Sequence, residues 1–324
     1  MKETARAALA AMFAVAVLAW PAPAPAQDYP NRPVRIIVGF PAGTSADITA
    51  RVVGARMSQL LGQQFVVENK VGAGSKLAAD QVARAPKDGY TLLMANISNT
   101  ITTSASAPFT FDFQKDLAPI VRLTTVPNVL VVHPSIGVKT VQDLIALAKA
   151  KPDELSFGSS GVATGTHLAG ELFKMQTGIK MVHVPYPGSP QSVVDLIAGR
   201  IQVLFSPAST VLPQAREGKV IALASTEAKR TAAAPDLPTM AEAGMPSYVT
   251  GLWFGLMAPA GTPKDIIDKL NRAGNEALKA DEVSKAMTPL GIELLGGSPE
   301  DFARFIDSEI KRWDAVVQAA GLRK

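Results

Sequence analysis

The sequence predicts an α/β fold of mainly parallel sheets flanked by helices, and three observations predict it. Short apolar runs rich in β-branched residues alternate with segments of helical period along nearly the whole chain. Loops of glycine, serine and threonine stand where a run ends and a helix begins. The chain has 324 residues, 47% of them hydrophobic, and the roughly 298 that follow an N-terminal leader are enough for two domains with cores of their own.

The leader is read first. Lys2 and Arg6 precede fourteen apolar residues, Ala7 to Trp20, and a proline/alanine stretch closes on Ala24-Pro25-Ala26. That order is a secretory signal peptide over residues 1–26, with cleavage before Gln27. Its apolar run falls short of the roughly 20 residues of a spanning helix. There is no cysteine, so a lipid-modified signal, a disulfide and a thiolate metal site are all excluded. The expectation is a protein free in an exported compartment.

In the remainder, strands are predicted at 34–38, 65–68, 91–95, 129–132, 155–157, 181–184, 201–205 and 220–224. Val53, Met57, Leu60 and Leu61 make one helical face, and Leu168, Leu172 and Met175 another. Ser189-Pro190, Thr262-Pro263 and Ser298-Pro299 each pair an N-cap with proline in the first turn. Two long helices, near 263–280 and 298–319, close the chain. In the last, Phe302, Phe305, Ile306, Ile310 and Trp313 repeat at three and four, a stripe that packs on a core.

Composition narrows the partners. The formal net charge is +4, no basic run exceeds two residues, and aromatics are 6% of the chain. The stacking platforms and charged stripes of nucleic-acid binders are missing. A mildly positive surface favours the approach of small anions.

Three loops share one chemistry: "FPAGTSAD" at 40–47, "FGSSGVATGTH" at 157–167 and "VPYPGSPQS" at 184–192. Each follows a predicted strand and precedes a predicted helix, at the sheet edge where α/β proteins bind ligands. Each exposes the unpaired first amides of a helix, the positive end of its dipole. Small residues let an anion reach those amides, and the hydroxyls of Thr44, Ser45, Ser159, Ser160, Thr164 and Thr166 can add donors. The same residues would also serve as plain helix caps. Asp47 could hydrogen-bond a ligand or cap its own helix.

Enzyme motifs fail. The nucleophile-elbow pattern is incomplete at Gly158-Ser159-Ser160-Gly161-Val162, and no phosphate loop is present. "GAGSKL" at 72–77 lacks the third glycine of a dinucleotide fingerprint and reads as a tight loop beside the cleft. Of the three histidines, His133 and His183 read as structural, while His167 opens a helix in a candidate loop and either lines the pocket or packs. No cofactor, metal site or catalytic residue is expected.

A run of segments carries a resemblance: "YPNRPVRIIVGFPAGTSAD", "VENKVGAGSKLAAD", "DGYTLL", "SFGSSGVATGTHLAGELF", "MVHVPYPGS", "LPTMAEAG" and "WFGLMAPAGTP". Together, and in this order, they resemble the Bug-type receptors, the periplasmic solute-binding proteins of tripartite tricarboxylate transporters. The resemblance implies a monomeric, two-lobed binding protein of type II-like form, with the ligand cleft between the lobes. Lobe 1 would comprise 27–126 plus 251–324 and lobe 2 would be 127–250, with the Trp253-Phe254-Gly255 stretch a strand returning to lobe 1 at the hinge. It further implies capture of a small carboxylate and delivery to transporter subunits in the membrane. The expected contacts are Phe40, Ala42, Gly43, Thr44, Ser45, Asp47 and Asn96 on one jaw. Ser159, Ser160, Thr164, Thr166, His167, Tyr186, Gly188 and Ser206 form the other. Presentation of the ligand to a sensor protein is the alternative, and a secreted serine hydrolase using Ser160 a remoter one.

Three departures bear on the ligand. Thr44 stands where the family commonly has a second glycine, Pro187 where it has lysine, and Ser206 where an acid is frequent. Losing that acid points to a carboxylate without an amine, dicarboxylic or aromatic. Lys76, where asparagine is common, is read as solvent-exposed, with the ligand's far end as the alternative.

Overall fold

A computed structural model describes residues 29–101 and 111–322; the signal peptide expected at 1–26 lies outside them. In chain order the elements are β1 (Val34–Val38), α1 (Ser45–Leu61), β2 (Phe65–Asn69), α2 (Lys76–Ala83), β3 (Thr91–Asn96), α3 (Ile97–Ile101) and α4 (Phe113–Asp116). Then come β4 (Leu117–Val132), α5 (Val141–Ala150), β5 (Ser156–Ser159), α6 (Gly165–Thr177), β6 (Val182–Pro185), α7 (Ser189–Ile197), β7 (Val203–Pro207), α8 (Ala208–Arg216) and β8 (Ile221–Ser225). The chain closes with β9 (Gly251–Pro259), α9 (Lys264–Leu278), α10 (Asp281–Met287), β10 (Glu293–Leu294) and α11 (Pro299–Ala319).

The strands run in the order β2-β1-β3-β9-β4-β7-β5-β6, with β8 and β10 added on β4. Both ends are parallel, as expected: β1 lies between β2 and β3, and β5 between β6 and β7. The middle is not, because β9 runs antiparallel to β3 and β4, and β4 antiparallel to β7 and β8. The sheet is therefore mixed. The reason is β4, which is far longer than the predicted 129–132. Its first part, Leu117 to Pro127, pairs with β9, and its second, Asn128 to Val132, pairs with β7 and β8. One strand thus belongs to two half-sheets, which makes the protein an α/β two-lobed binding fold. Pro119 inside this segment hid the strand from a pattern reading, since proline is normally kept out of central strands.

Where β4 changes partners the backbone is tied by a short segment between the halves. Thr226 N donates to Asn128 O at 2.9 Å, Asn128 N to Thr226 Oγ1 at 3.1 Å, and Thr250 N to Thr226 O at 2.8 Å. Pro127 has no amide to place there.

The cores follow from the apolar runs. Every residue of β3 is buried, as are Ile36, Ile37 and Val38 of β1, which is what strands covered on both faces require. Val53 and Met57 of α1 pack against this half. Phe157, Phe173 and Phe205 anchor the other, with Tyr248 meeting Phe173 edge-on at 6.0 Å. The final helix starts with the capping box Ser298/Asp301, and its buried stripe includes Phe302, Ile306 and Trp313. Its Glu309 accepts from both Trp253 Nε1 and Trp313 Nε1 at 3.2 Å, fixing β9 to the C-terminal helix.

Candidate functional site

Four helices of at least nine residues start in the cleft between the half-sheets: α1, α6, α7 and α8. The first turn of each carries amides that no backbone carbonyl can reach. In α1 the N-cap Thr44 accepts from Asp47 N, while Ser45 N and Ala46 N have no protein acceptor. In α6 the N-cap Thr164 accepts from His167 N, while Gly165 N and Thr166 N have none; in both helices this holds among the described residues. The N-caps of α7 and α8, Gly188 and Pro207, offer no capping side chain at all.

These ends enclose a narrow space of about 380 Å3 counted together with the solvent at its mouth. One wall is Thr44, Ser45, Ala46, Asn96, Ile97 and Ser98; the facing wall is Ser160, Thr164, Gly165, Ser189 and Pro207. Phe40, Leu252 and Phe254 complete an apolar side. No side chain in this lining ionises. The walls approach closely: a Cβ on Gly165 would stand 2.4 Å from Leu252 Cδ2 and 2.7 Å from Ile97 Cγ2. Ser45 Oγ lies 2.6 Å from Ser209 Oγ, a buried hydrogen bond from the start of α1 to the start of α8.

The first loop is braced by charge. Asp47, 3% exposed, accepts from Gly43 N at 3.0 Å, from Asn69 Nδ2 at 2.9 Å and from Arg51 Nε at 3.0 Å. Asn69 Nδ2 also donates to Phe40 O at 2.9 Å, closing a ring around the turn. Burial pushes the Asp47 carboxyl up, but the bonds from Arg51, Gly43 and Asn69 outweigh it and hold it below the usual carboxylate range. Gly43 takes a left-handed φ of 80° to make this turn.

The second loop is braced through hydroxyls and imidazoles, with the Glu171 carboxylate 3.6 Å behind His167 Nε2. Thr166 Oγ1 accepts from Ser160 N at 2.8 Å and lies 2.8 Å from Ser160 Oγ and 3.1 Å from Thr164 Oγ1. Ser159 Oγ accepts from Gly161 N at 3.1 Å and sits 2.6 Å from His183 Nε2. His167 Nδ1 accepts from Ala163 N at 3.1 Å, which fixes the proton of the neutral ring on Nε2. Its ring stacks on His183 with centroids 3.7 Å apart. Burial, with the neighbouring His167, lowers the His183 pKa to about 4.

Six of the expected contacts line the cavity: Phe40, Thr44, Ser45, Asn96, Ser160 and Thr164. Others brace it: Asp47, Ser159, Thr166 and His167 are buried behind the loops with their polar atoms engaged. Asp47, expected either to contact a ligand or to cap its helix, and His167, expected either to line the pocket or to pack, each serve a loop amide here. Ala42 and Gly43 are on the exposed side of the turn. Tyr186 faces an outer groove, its hydroxyl donating to Asp195 at 2.9 Å. Gly188 caps α7 beside Pro41, and Ser206 is buried in β7 with no partner for its hydroxyl. Lys76 is half-buried, with burial lowering its pKa, and lines neither space.

Sequence reading missed Ala46, Ile97, Ser98, Gly165, Ser189, Pro207, Leu252 and Phe254. The Ser189-Pro190 start signal pointed to one of them. Leu252 and Phe254 lie in a strand whose cleft-facing side only the fold reveals.

Ser159 and His183 have the spacing of a nucleophile and base, yet Ser159 is fully buried and no carboxylate hydrogen-bonds His183 among the described residues. The pair holds a loop.

The architecture and cleft define a periplasmic binding protein fold of the solute-receptor kind. Residues 49–322 match the tripartite tricarboxylate transporter family receptor, and the chain belongs to that family, whose members are receptors and not enzymes. It is 38% identical to Protein BugT of Bordetella pertussis over 304 residues, covering 93% of each chain. Among solved structures it is similar to Rpa4515 of R. palustris with adipate, at 38% identity and a TM-score of 0.86, covering 91% of this chain and 99% of that one. It is also similar to MatC from Rhodopseudomonas palustris with bound malate, at 30% identity and a TM-score of 0.83, covering 89% and 100%.

Proposed function

We propose that this receptor captures a small carboxylate without an amine, dicarboxylic or aromatic, and delivers it to a tripartite tricarboxylate-type membrane transporter. The observation that carries the reading is the convergence of four helix N-termini, with acceptor-free first-turn amides, on a cavity without ionisable side chains. An anion is balanced there by amides and dipoles. An ammonium group would meet no carboxylate, so amino acids bind weakly. The adipate and malate of similar structures are consistent with such a ligand.

Hydrogen bonds to a charged group contribute roughly 1.5–3 kcal/mol each. Four or five of them, less ordering and desolvation, supply the roughly 8 kcal/mol of micromolar binding. Direct contacts fall to Thr44, Ser45, Asn96, Ser160 and Thr164 with the amides beside them. The lobes are 27–126 plus 251–324 and 127–250, hinged where β4 changes partners and where β9 begins; closure presents the surface that the transporter reads. Cleavage of the 1–26 signal peptide places the protein in the periplasm as a monomer.

The test is a thermal-shift screen of refolded, ligand-stripped protein against aliphatic dicarboxylates, aromatic acids, amino acids and matched amides. Saturation at a hundredfold over Kd should add about 2.7 kcal/mol, a shift of several degrees. A shift with an acid and none with its amide supports the reading. Equal shifts from amides or amino acids overturn it.

A further inference from the structure

Outside the inner cavity lies a second space of about 630 Å3, which opens to solvent at the mouth of the cleft. Phe40 and Ser160, one from each jaw, line both spaces, so the outer groove continues the inner cavity. Its walls are Val71 and the 72–74 turn on one side, and Gly161, Val162, Tyr186 and Pro187 on the other.

As in the cavity behind it, no charged side chain lines it. The one ionisable group, Tyr186, is kept neutral: burial and the hydrogen bond to Asp195 push its phenol up to about 12. That hydroxyl is engaged by Asp195, which Arg200 also holds at 2.7 Å, so the groove is offered the ring. Val71 and Val162 are 41% and 53% exposed, so the groove presents two apolar side chains on facing walls. The walls are also narrow, since a Cβ on Gly74 would stand 3.1 Å from Val162 O.

From this continuity we infer that the outer groove is a second subsite, and that among the carboxylates without an amine proposed above it selects acids with an elongated, uncharged alkyl or aryl tail over dicarboxylates. The inference rests on the carboxylate reading above. The head occupies the inner cavity, and the tail passes between Phe40 and Ser160 to lie against Val71, Val162 and the Tyr186 ring. A tail with a second charge finds no counter-ion along the walls and must reach solvent.

The experiment is calorimetric titration of the ligand-stripped mature protein with butanoate, hexanoate, octanoate and octanedioate. Affinity should rise about fourfold per added methylene, the fold-change equal to about 0.8 kcal/mol for a buried CH2, and octanoate should bind more tightly than octanedioate. In the double variant Val71→Ser, Val162→Ser, octanoate should weaken about tenfold while butanoate changes less than twofold. Flat affinity from butanoate to octanoate, equal losses for short and long acids, or octanedioate matching octanoate each overturns the subsite and leaves the carboxylate receptor standing. If no acid binds at any length, both readings fall together.

Discussion

The two loops that face each other across the cleft do the same work with opposite chemistry. Residues 40–47 are held by an ionised carboxylate, with Asp47 gathering Gly43, Asn69 and Arg51. Residues 159–167 are held at their amides by hydroxyls and imidazoles, with Thr166 gathering Ser160 and Thr164, His167 and His183 bonding Ala163 and Ser159, and the Glu171 carboxylate set back 3.6 Å from His167 Nε2. Both keep ionisable side chains out of the cavity. The difference teaches that the amides are what the two loops share, while the brace behind them differs.

The largest test of that contrast is Asp47→Ala. It strands Gly43 N, Asn69 and Arg51 together, so stability to urea should fall by about 2–4 kcal/mol and acid binding should weaken at least tenfold. Thr166→Val removes the neutral counterpart and leaves the Ser160 amide unpaired, at about 1–3 kcal/mol. A loss from Thr166→Val equal to that from Asp47→Ala would break the distinction between charged and neutral braces.

Ser209→Ala addresses the contact between the two sides. It deletes the bond to Ser45 Oγ without touching either brace, so urea stability should fall by about 1 kcal/mol, less than for Asp47→Ala. Ligand affinity should fall about fivefold, for a net hydrogen bond near 1 kcal/mol. Unchanged affinity would mean that the bond does not contribute to closure.

The smallest effect is also the most selective, because the braces separate with pH. His183 has its pKa lowered from 6.5 to about 4. Between those values the unfolded chain binds a proton that the folded chain does not, so stability falls as pH drops through that window. Asp47, with its pKa lowered, contributes above the ordinary carboxylate range and loses that contribution only as pH falls through its own depressed value. His183→Gln should therefore flatten the decline in Tm between about pH 6.5 and 4 and leave the steeper loss below it. An unchanged profile would remove His183 from the account.

Much of the first loop was legible in sequence, since a strand, a small-residue turn and a helix with Thr44 before it are local features. The role of Asp47 was not, because its partner Asn69 comes from the next strand. His167 was ambiguous for the same reason: whether it lines a pocket depends on His183, which only the pairing of β5 with β6 brings alongside. The long β4 escaped a pattern reading because its two parts face different neighbours and Pro119 interrupts the first.

By itself the sequence determined the alternation of strands and helices, the capped helix starts, and the absence of lysine and arginine from the three loops, because each depends on residues within a turn or two of one another. Only the tertiary structure decided which of those loops meet, which side chains brace and which line, and that Leu252 and Phe254 complete the cavity. Those outcomes depend on contacts between residues far apart in the chain, fixed when β4 and β9 carry the backbone from one half-sheet to the other.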